Sequence, residues 1–177
     1  SIASTAAEEY LSLLCKLLGD QPLLPVLPRW FRKLQVPLIQ QVLASTGEYR
    51  DAIQRAIDEQ VALDVPAPVP APRGMPLFII DSDGLRRRPE EVGMSVEEVA
   101  EYDFDRISPD ALLRTVVQDQ LIDPVAVVLG ATEMCYAIET RHLRQDNDWS
   151  RPQWLARPRL RPISSDLVQQ WSDEGLD

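Results

Sequence analysis

Histidine and cysteine are scarce in this chain of 177 residues, which has one histidine, His142, and two cysteines, Cys15 and Cys135. A Ser-His-Asp or Cys-His catalytic site would depend on His142 alone, and no nucleophile stands beside it in a recognisable pattern. The two cysteines lack the close spacing of a zinc site, and each falls in a predicted helix. We therefore predict neither a disulfide framework nor a structural metal.

Long apolar runs, glycine-rich phosphate loops and an excess of basic residues are also missing. No apolar run reaches the roughly 18 residues that span a bilayer, and no basic-then-apolar secretory start precedes the polar opening, so we expect a soluble, cytoplasmic protein without a membrane partner. The net charge of −10 argues against a nucleic-acid partner, because phosphate binding depends on a basic face. Neither G-x-G-x-x-G nor G-x-x-x-x-G-K-S/T occurs, so any nucleotide would need other chain segments.

The most informative stretch runs from Ser108 to Ile138 and has the pattern of a helix, a strand, a turn and a second helix. Ser108 is a suitable N-cap and Pro109 suits the first helical position, so a helix is predicted to start there. Residues 125–129 are uniformly apolar, which is typical of an inner strand covered on both faces in a parallel sheet. Gly130 then permits a sharp turn at the carboxyl end of that strand, where open α/β sheets bind their ligands.

Other segments indicate how the chain is organised. Apolar residues recur on one side of residues 6–18, which predicts a helix that ends at Gly19 and packs on a sheet face. Two short runs flank an Asp-Gly step and predict a β-hairpin near 77–88. The proline-rich residues 65–76 favour an extended connector. Successive strands joined by helices predict a three-layer α/β fold with a parallel sheet, in a single domain over residues 1–177.

Two motifs carry a resemblance to a known family. The segments SPDALLRTVVQD at 108–119 and GATEMCY at 130–136 resemble the motifs S-P-N-A-L-L-R-P-V-V-Q-D and G-P-x-E-I-A-Y of the bacillithiol synthase family of cysteine ligases. The family prefers proline where Thr115 stands, and the turn lacks the family's proline. The resemblance implies the second part of a Rossmann-like core, a three-layer parallel sheet with helices on both faces. Because the family's proteins are several times longer, the chain is expected to be a part or a shortened relative of such a ligase.

The resemblance also implies a reaction and a set of site residues. The reaction would join cysteine to the amino group of glucosaminyl malate as an amide, with Glu133 as the catalytic residue that holds or deprotonates the amine. The residues implied to bind substrate are Arg114, Gln118, Asp119, Gly130, Thr132 and Tyr136. Such a condensation needs carboxyl activation and stabilisation of an oxyanion. The activating cofactor is unknown, and a nucleotide held with help from segments outside this chain is one candidate.

Two interpretations stay open at this point. A glutamate in the first turn of a helix also stabilises that helix alone, so Glu133 is either a site residue or a helix cap. The chain is either a ligase domain, with cysteine and an amino sugar as its partners, or a noncatalytic interaction module that keeps the fold. The module would bind a protein through an exposed sheet edge and a late arginine cluster. This late arginine cluster comprises Arg141, Arg144, Arg151, Arg157, Arg159 and Arg161. A homo-oligomer, or a contact with a missing segment, is compatible with either interpretation.

Overall fold

The chain has a mixed α/β architecture, as predicted, in which helices surround two separate small sheets. The computed structural model describes residues 5–22, 24, 26–158 and 164–174. The α-helices are α1 (Ala6–Leu18), α2 (Val36–Ala44), α3 (Thr46–Ala62), α4 (Val96–Ala100), α5 (Ala111–Ile122), α6 (Ala131–Glu139), α7 (Arg141–Asp146) and α8 (Ser165–Asp173). The strands are β1 (Leu77–Ile80), β2 (Arg86–Arg87), β3 (Ile107–Pro109), β4 (Ala126–Leu129) and β5 (Gln153–Ala156).

Helix α1 has the predicted bounds. The Thr5 hydroxyl accepts a hydrogen bond from the Glu8 N–H, and the chain leaves the helix at Gly19, whose φ of 55° favours glycine. Its apolar stripe is not buried, however: Tyr10 is 62% exposed and Leu17 is 72% exposed. The prediction that this stripe packs on a sheet face is therefore wrong.

Within the described ranges, no helix combines the length and the apolar character needed to cross a bilayer.

The antiparallel sheet has the order β2-β1-β3 and contains the predicted hairpin. The Asp81 carboxylate closes its turn by accepting hydrogen bonds from the N–H groups of Asp83, at 3.0 Å, and Leu85, at 2.9 Å. Ser108 and Pro109 lie in edge strand β3, paired with β1, rather than at the start of a helix. Proline is tolerated at such an edge. Asp110 caps α5 instead, because its carboxylate accepts the Leu113 N–H at 3.0 Å.

The second sheet is a parallel pair, β4 and β5, connected through α6 and α7. The register runs from Ala126 opposite Gln153 to Leu129 opposite Ala156. Val128 in β4 is 57% exposed and Val125 just before it is 90% exposed. The prediction that this strand is covered on both faces is wrong for the described residues, because the face that carries Ala126 and Val128 is exposed, and β4 has a single neighbouring strand there.

Two clusters of buried apolar side chains form the core, and α2 contributes to both. The larger cluster lies among α2, α3, α5 and α7 and includes Tyr49 and Leu113. The smaller cluster lies between α2, α4 and the antiparallel sheet and includes Leu77 and Ile107. The proline-rich segment 65–76 contains no helix or strand, and it packs on the larger cluster through side chains such as Val69.

Candidate functional site at the ends of the parallel strands

The parallel pair brings two chain turns together at one edge. Because β4 and β5 run in the same direction, Gly130 after β4 and Arg157 after β5 meet at their carboxyl ends. The Arg157 N–H donates to the Leu129 carbonyl oxygen at 2.7 Å, which extends the pairing one residue beyond the strands. Helix α6 begins at this edge, so its N-terminal N–H groups face the same opening.

Gly130 permits a close approach of two charged side chains. Its N–H donates to Glu133 Oε2 at 2.6 Å, and Glu133 Oε2 lies 3.7 Å from Arg157 Nη2. A Cβ atom at residue 130 would stand 2.5 Å from Arg157 Nη2 and 2.9 Å from Glu133 Oε2. These distances are shorter than van der Waals contact, so a larger residue would force both side chains away. Because the Glu133 carboxylate accepts the Gly130 N–H, Glu133 does cap α6, as one of the two interpretations of the sequence proposed.

These groups surround a surface cavity of about 420 Å³. Its lining residues are Gly130, Ala131, Thr132, Glu133, Tyr136 and Arg157. The side chains of Glu133 and Arg157 stay 50% and 63% exposed, so a ligand can reach both. A carboxylate can accept a hydrogen bond or a proton from an amine, and a guanidinium can bind a carboxylate or a phosphate. We name this arrangement the strand-end site.

Four of the seven residues implied by the resemblance lie together in the strand-end site: Gly130, Thr132, Glu133 and Tyr136. Sequence reasoning did not place Arg157 among them. The signal is positional, because Arg157 directly follows β5 as Gly130 directly follows β4. Two parallel strands carry such residues to the same edge.

Arg114 and Gln118 lie elsewhere. Both line a second cavity of about 310 Å³, which is formed by residues 26–35, strand β3 and helix α5. None of its lining residues is shared with the strand-end site. The structure thus divides the implied substrate-binding residues between two separate cavities.

Asp119 belongs to neither cavity, because it forms a buried ion pair. Its Oδ2 lies 2.8 Å from Arg144 Nη1, and the Arg144 side chain is fully buried. Burial raises the pKa of Asp119, while the charge of Arg144 opposes that rise. Arg144 also donates to the Ser150 carbonyl oxygen at 3.0 Å and to the Thr140 hydroxyl at 3.2 Å. The pair thus holds α5 against α7 and the chain that follows it.

A second buried carboxyl group, on Glu139 of α6, was not singled out from the sequence. Its side chain is fully buried, and neither carboxylate oxygen has a hydrogen-bond partner of good geometry among the described residues. Burial raises the pKa of Glu139 from 4.5 to about 7, and the nearby N–H of Val69 opposes the rise. The buried hydroxyl of Tyr49 also lacks a partner there, and burial together with Asp110 raises its pKa. Only the folded chain could reveal this cluster, since its members come from distant segments.

His142 makes a contact between helices. Its Nε2 atom lies 2.9 Å from Glu59 Oε1, which connects α7 to α3, and burial together with the charge of Arg141 lowers the pKa of His142. In the described part of the chain, no group of three or more His, Cys, Asp or Glu side chains is arranged to hold a metal ion.

No protein-family model matches the chain, and no curated protein matches its sequence at a significant level. The resemblance to cysteine ligases of bacillithiol synthesis therefore stays a prediction that rests on the motifs themselves.

Proposed function

We propose that this chain is part or a shortened relative of a cysteine ligase of the bacillithiol synthase type, with a Rossmann-like core and the strand-end site as its substrate site. The observation that carries the proposal is the meeting of Gly130, Glu133 and Arg157 at the carboxyl ends of two parallel strands. Open α/β sheets bind ligands at this kind of edge. The motif resemblance supplies the substrate class, an amino sugar that carries a malate group, together with cysteine.

The charges of the strand-end site suit the two ends of such a substrate. The Glu133 carboxylate would accept a proton from the attacking amine, which leaves the nitrogen lone pair free to form the amide bond. The Arg157 guanidinium would bind a malate carboxylate. Once Glu133 turns toward the amine, the Gly130 N–H is released and can donate to the oxyanion that develops on the cysteine carboxyl. The cysteine carboxyl must carry a leaving group beforehand, for which a nucleotide is a candidate source.

Calorimetric titration of the chain with glucosaminyl malate tests the proposal. We expect saturable binding that weakens about tenfold or more in Glu133→Gln and in Arg157→Gln, since each change removes a charge-assisted hydrogen bond. Arg55→Gln is the matched control, because Arg55 forms its ion pair with Asp146, away from both cavities. Absence of saturable binding, or equal affinity in Glu133→Gln and the unsubstituted chain, would rule the substrate site out.

A noncatalytic interaction module is the second candidate. The observation that favours it is the open parallel pair, in which Val125 is 90% exposed, Val128 57% and Leu155 42%. Two parallel strands with one exposed apolar face offer backbone hydrogen-bonding groups and apolar area to a further strand. The partner of such a module would be a protein that adds a strand beside β4 or β5.

Hydrogen exchange of the amides in β4 and β5 separates the two candidates. A module that waits for a protein partner should exchange these amides rapidly alone and just as rapidly with glucosaminyl malate present. A ligand bound at the strand-end site should instead slow exchange at residues 129–133, because it orders the turn between β4 and α6. Protection that appears with the amino sugar therefore favours the ligase proposal, and its absence favours the module.

A further inference from the structure

The second cavity, formed by residues 26–35, strand β3 and helix α5, has the features of a separate ligand site. Its volume of about 310 Å³ falls at the small end of the range for small-molecule pockets, which is roughly 300–1,000 Å³. Most of its wall is apolar. The apolar lining side chains are Val26, Phe31, Ile107, Val117, Leu121 and Ile122. An apolar wall of this kind suits the hydrocarbon part of a ligand.

One buried donor in the cavity wall has no acceptor among the described residues. Gln35 lines the cavity and is only 5% exposed, and its Nε2 has no hydrogen-bond partner among the described residues. Most buried side-chain polar atoms are hydrogen-bonded, and leaving one without a partner is unfavourable. An oxygen atom of a ligand in the cavity would supply the acceptor that Gln35 lacks.

The charge of the cavity is positive, although the whole chain has a net charge of −10. Arg32 and Arg114 line it, and none of its described lining residues is acidic. Arg114 and the neighbouring Arg86 both donate through Nη2 to the same acceptor, the Pro109 carbonyl oxygen, each at 3.4 Å. These are long hydrogen bonds, and they hold two guanidinium groups close together.

The electrostatics of Arg86 agree with that crowding. Burial lowers the pKa of Arg86, and the charges of Arg114 and Arg88 lower it further. The charge of Asp110 offsets part of this repulsion, while its carboxylate also accepts the Leu113 N–H and lies 3.5 Å from Arg88 Nη1. An anion bound at Arg114 would add a negative charge beside these guanidinium groups and reduce the repulsion further.

We propose that this cavity binds an organic carboxylate with an apolar body, with the carboxylate at Arg114 and Arg32, an oxygen within reach of Gln35 and the hydrocarbon against the apolar wall. The proposal does not rest on the proposed ligase function, because the two cavities share no lining residue. Planar carboxylates suit guanidinium groups, and the apolar wall excludes a ligand that is charged throughout.

Calorimetric titration with octanoate, octanol, octylammonium and acetate tests the ligand class on the unsubstituted chain. We expect octanoate to bind saturably, octanol to bind at least about tenfold more weakly because it lacks the charge, and octylammonium and acetate to show no saturable binding. Octanol affinity equal to that of octanoate would overturn the anionic part of the proposal. Acetate affinity equal to that of octanoate would overturn the apolar part, and octylammonium binding, or no octanoate binding, would overturn the whole.

Two variants test whether octanoate binds in this cavity. Arg114→Gln should weaken octanoate binding about tenfold or more, and Ile122→Trp should block it by filling the cavity from a residue that is 52% exposed and can accept a larger side chain. Arg55→Gln is the matched loss of one positive charge outside the cavity and should leave octanoate affinity unchanged. Affinity that survives in both Arg114→Gln and Ile122→Trp would place octanoate elsewhere and overturn the proposal. Thermal unfolding of each variant, measured alongside, confirms that it is folded.

Discussion

Two of the acid–arginine pairs among the described residues, Asp119–Arg144 and Glu133–Arg157, differ in how far the fold buries them. In the buried pair, Arg144 is fully buried and approaches Asp119 to 2.8 Å. In the strand-end pair, Glu133 and Arg157 are 50% and 63% exposed and lie 3.7 Å apart. Both carboxylates were implied as site residues by the same motif resemblance. Their surroundings assign the first to the stability of the fold and leave the second accessible to a ligand.

The comparison teaches that burial, rather than residue type, separates a structural ion pair from a candidate site. A buried pair is costly to break because the remaining charge stays uncompensated in a poorly solvated interior, whereas an exposed charge returns to water. Glu139 extends the comparison to a buried carboxyl group whose oxygens have no hydrogen-bond partner of good geometry among the described residues, and burial raises its pKa to about 7.

Breaking the buried pair should have the largest effect. Asp119→Asn leaves Arg144 charged and buried, so we expect the free energy of unfolding to fall by roughly 3–5 kcal/mol. Urea denaturation at pH 7 measures the change. Glu133→Gln, at the exposed pair, is the matched substitution and should lower stability by less than about 1 kcal/mol. Similar losses in the two variants would contradict the distinction between the pairs.

Glu139 should make stability depend on pH. Its pKa lies above the usual 4.5 in the folded chain, so the folded chain keeps this proton to about pH 7 while the unfolded chain loses it near 4.5. The group therefore lowers stability as the pH rises through that window, by on the order of 3 kcal/mol, and the full cost is present above it.

Replacing Glu139 with glutamine removes that titration. We expect the Glu139→Gln chain to be more stable than the unsubstituted chain at pH 8 and to differ little from it at pH 4.5, as measured by urea denaturation across this range. Glu97→Gln, at an exposed position of helix α4, is the control and should leave the dependence of stability on pH unchanged. A profile for Glu139→Gln that parallels the unsubstituted chain would contradict the buried, uncompensated state of this carboxyl.

Gly130→Ala should separate stability from binding at the strand-end site. The atoms that a new Cβ would meet are the far ends of the Arg157 and Glu133 side chains, which can move, so we expect a loss of less than about 1 kcal/mol. This movement of the two side chains separates Arg157 from Glu133 and should weaken glucosaminyl malate binding in calorimetry.

Gly47→Ala is the matched control in helix α3, where a Cβ meets nothing within 4 Å. It should stabilise the chain by about 0.5–1 kcal/mol. A large loss of stability in Gly130→Ala would show that the turn is structural.

The smallest effect is expected from Arg157→Gln. An exposed pair at 3.7 Å contributes little in water, so thermal and urea unfolding should change by less than about 0.5 kcal/mol. Raising the salt concentration should leave even this difference smaller, because exposed charges are screened. A loss comparable to that of Asp119→Asn would remove the contrast between the two pairs.

Sequence reasoning succeeded where the signal is contained in a few neighbouring residues. The bounds of α1, its end at Gly19 and the Asp-Gly hairpin were all predicted, because each depends on neighbouring residues or on one backbone angle. Ser108 and Pro109 show the limit of this approach. Both suit the start of a helix, yet pairing with Phe78 and Leu77, some thirty residues earlier in the chain, places them in a strand.

By itself the sequence determined α1, the Asp-Gly hairpin, the strand that ends just before Gly130 and the acidic, histidine-poor composition that narrows the possible chemistry. Only the tertiary structure decided that Asp119 is buried against Arg144 and that the Glu139 carboxylate has no hydrogen-bond partner in the described part of the chain. It also decided that Arg157 joins Glu133 while Arg114 and Gln118 line another cavity. The physical reason is that burial and charge pairing depend on segments far apart in the chain, whereas propensity, capping and turn geometry depend on residues next to one another.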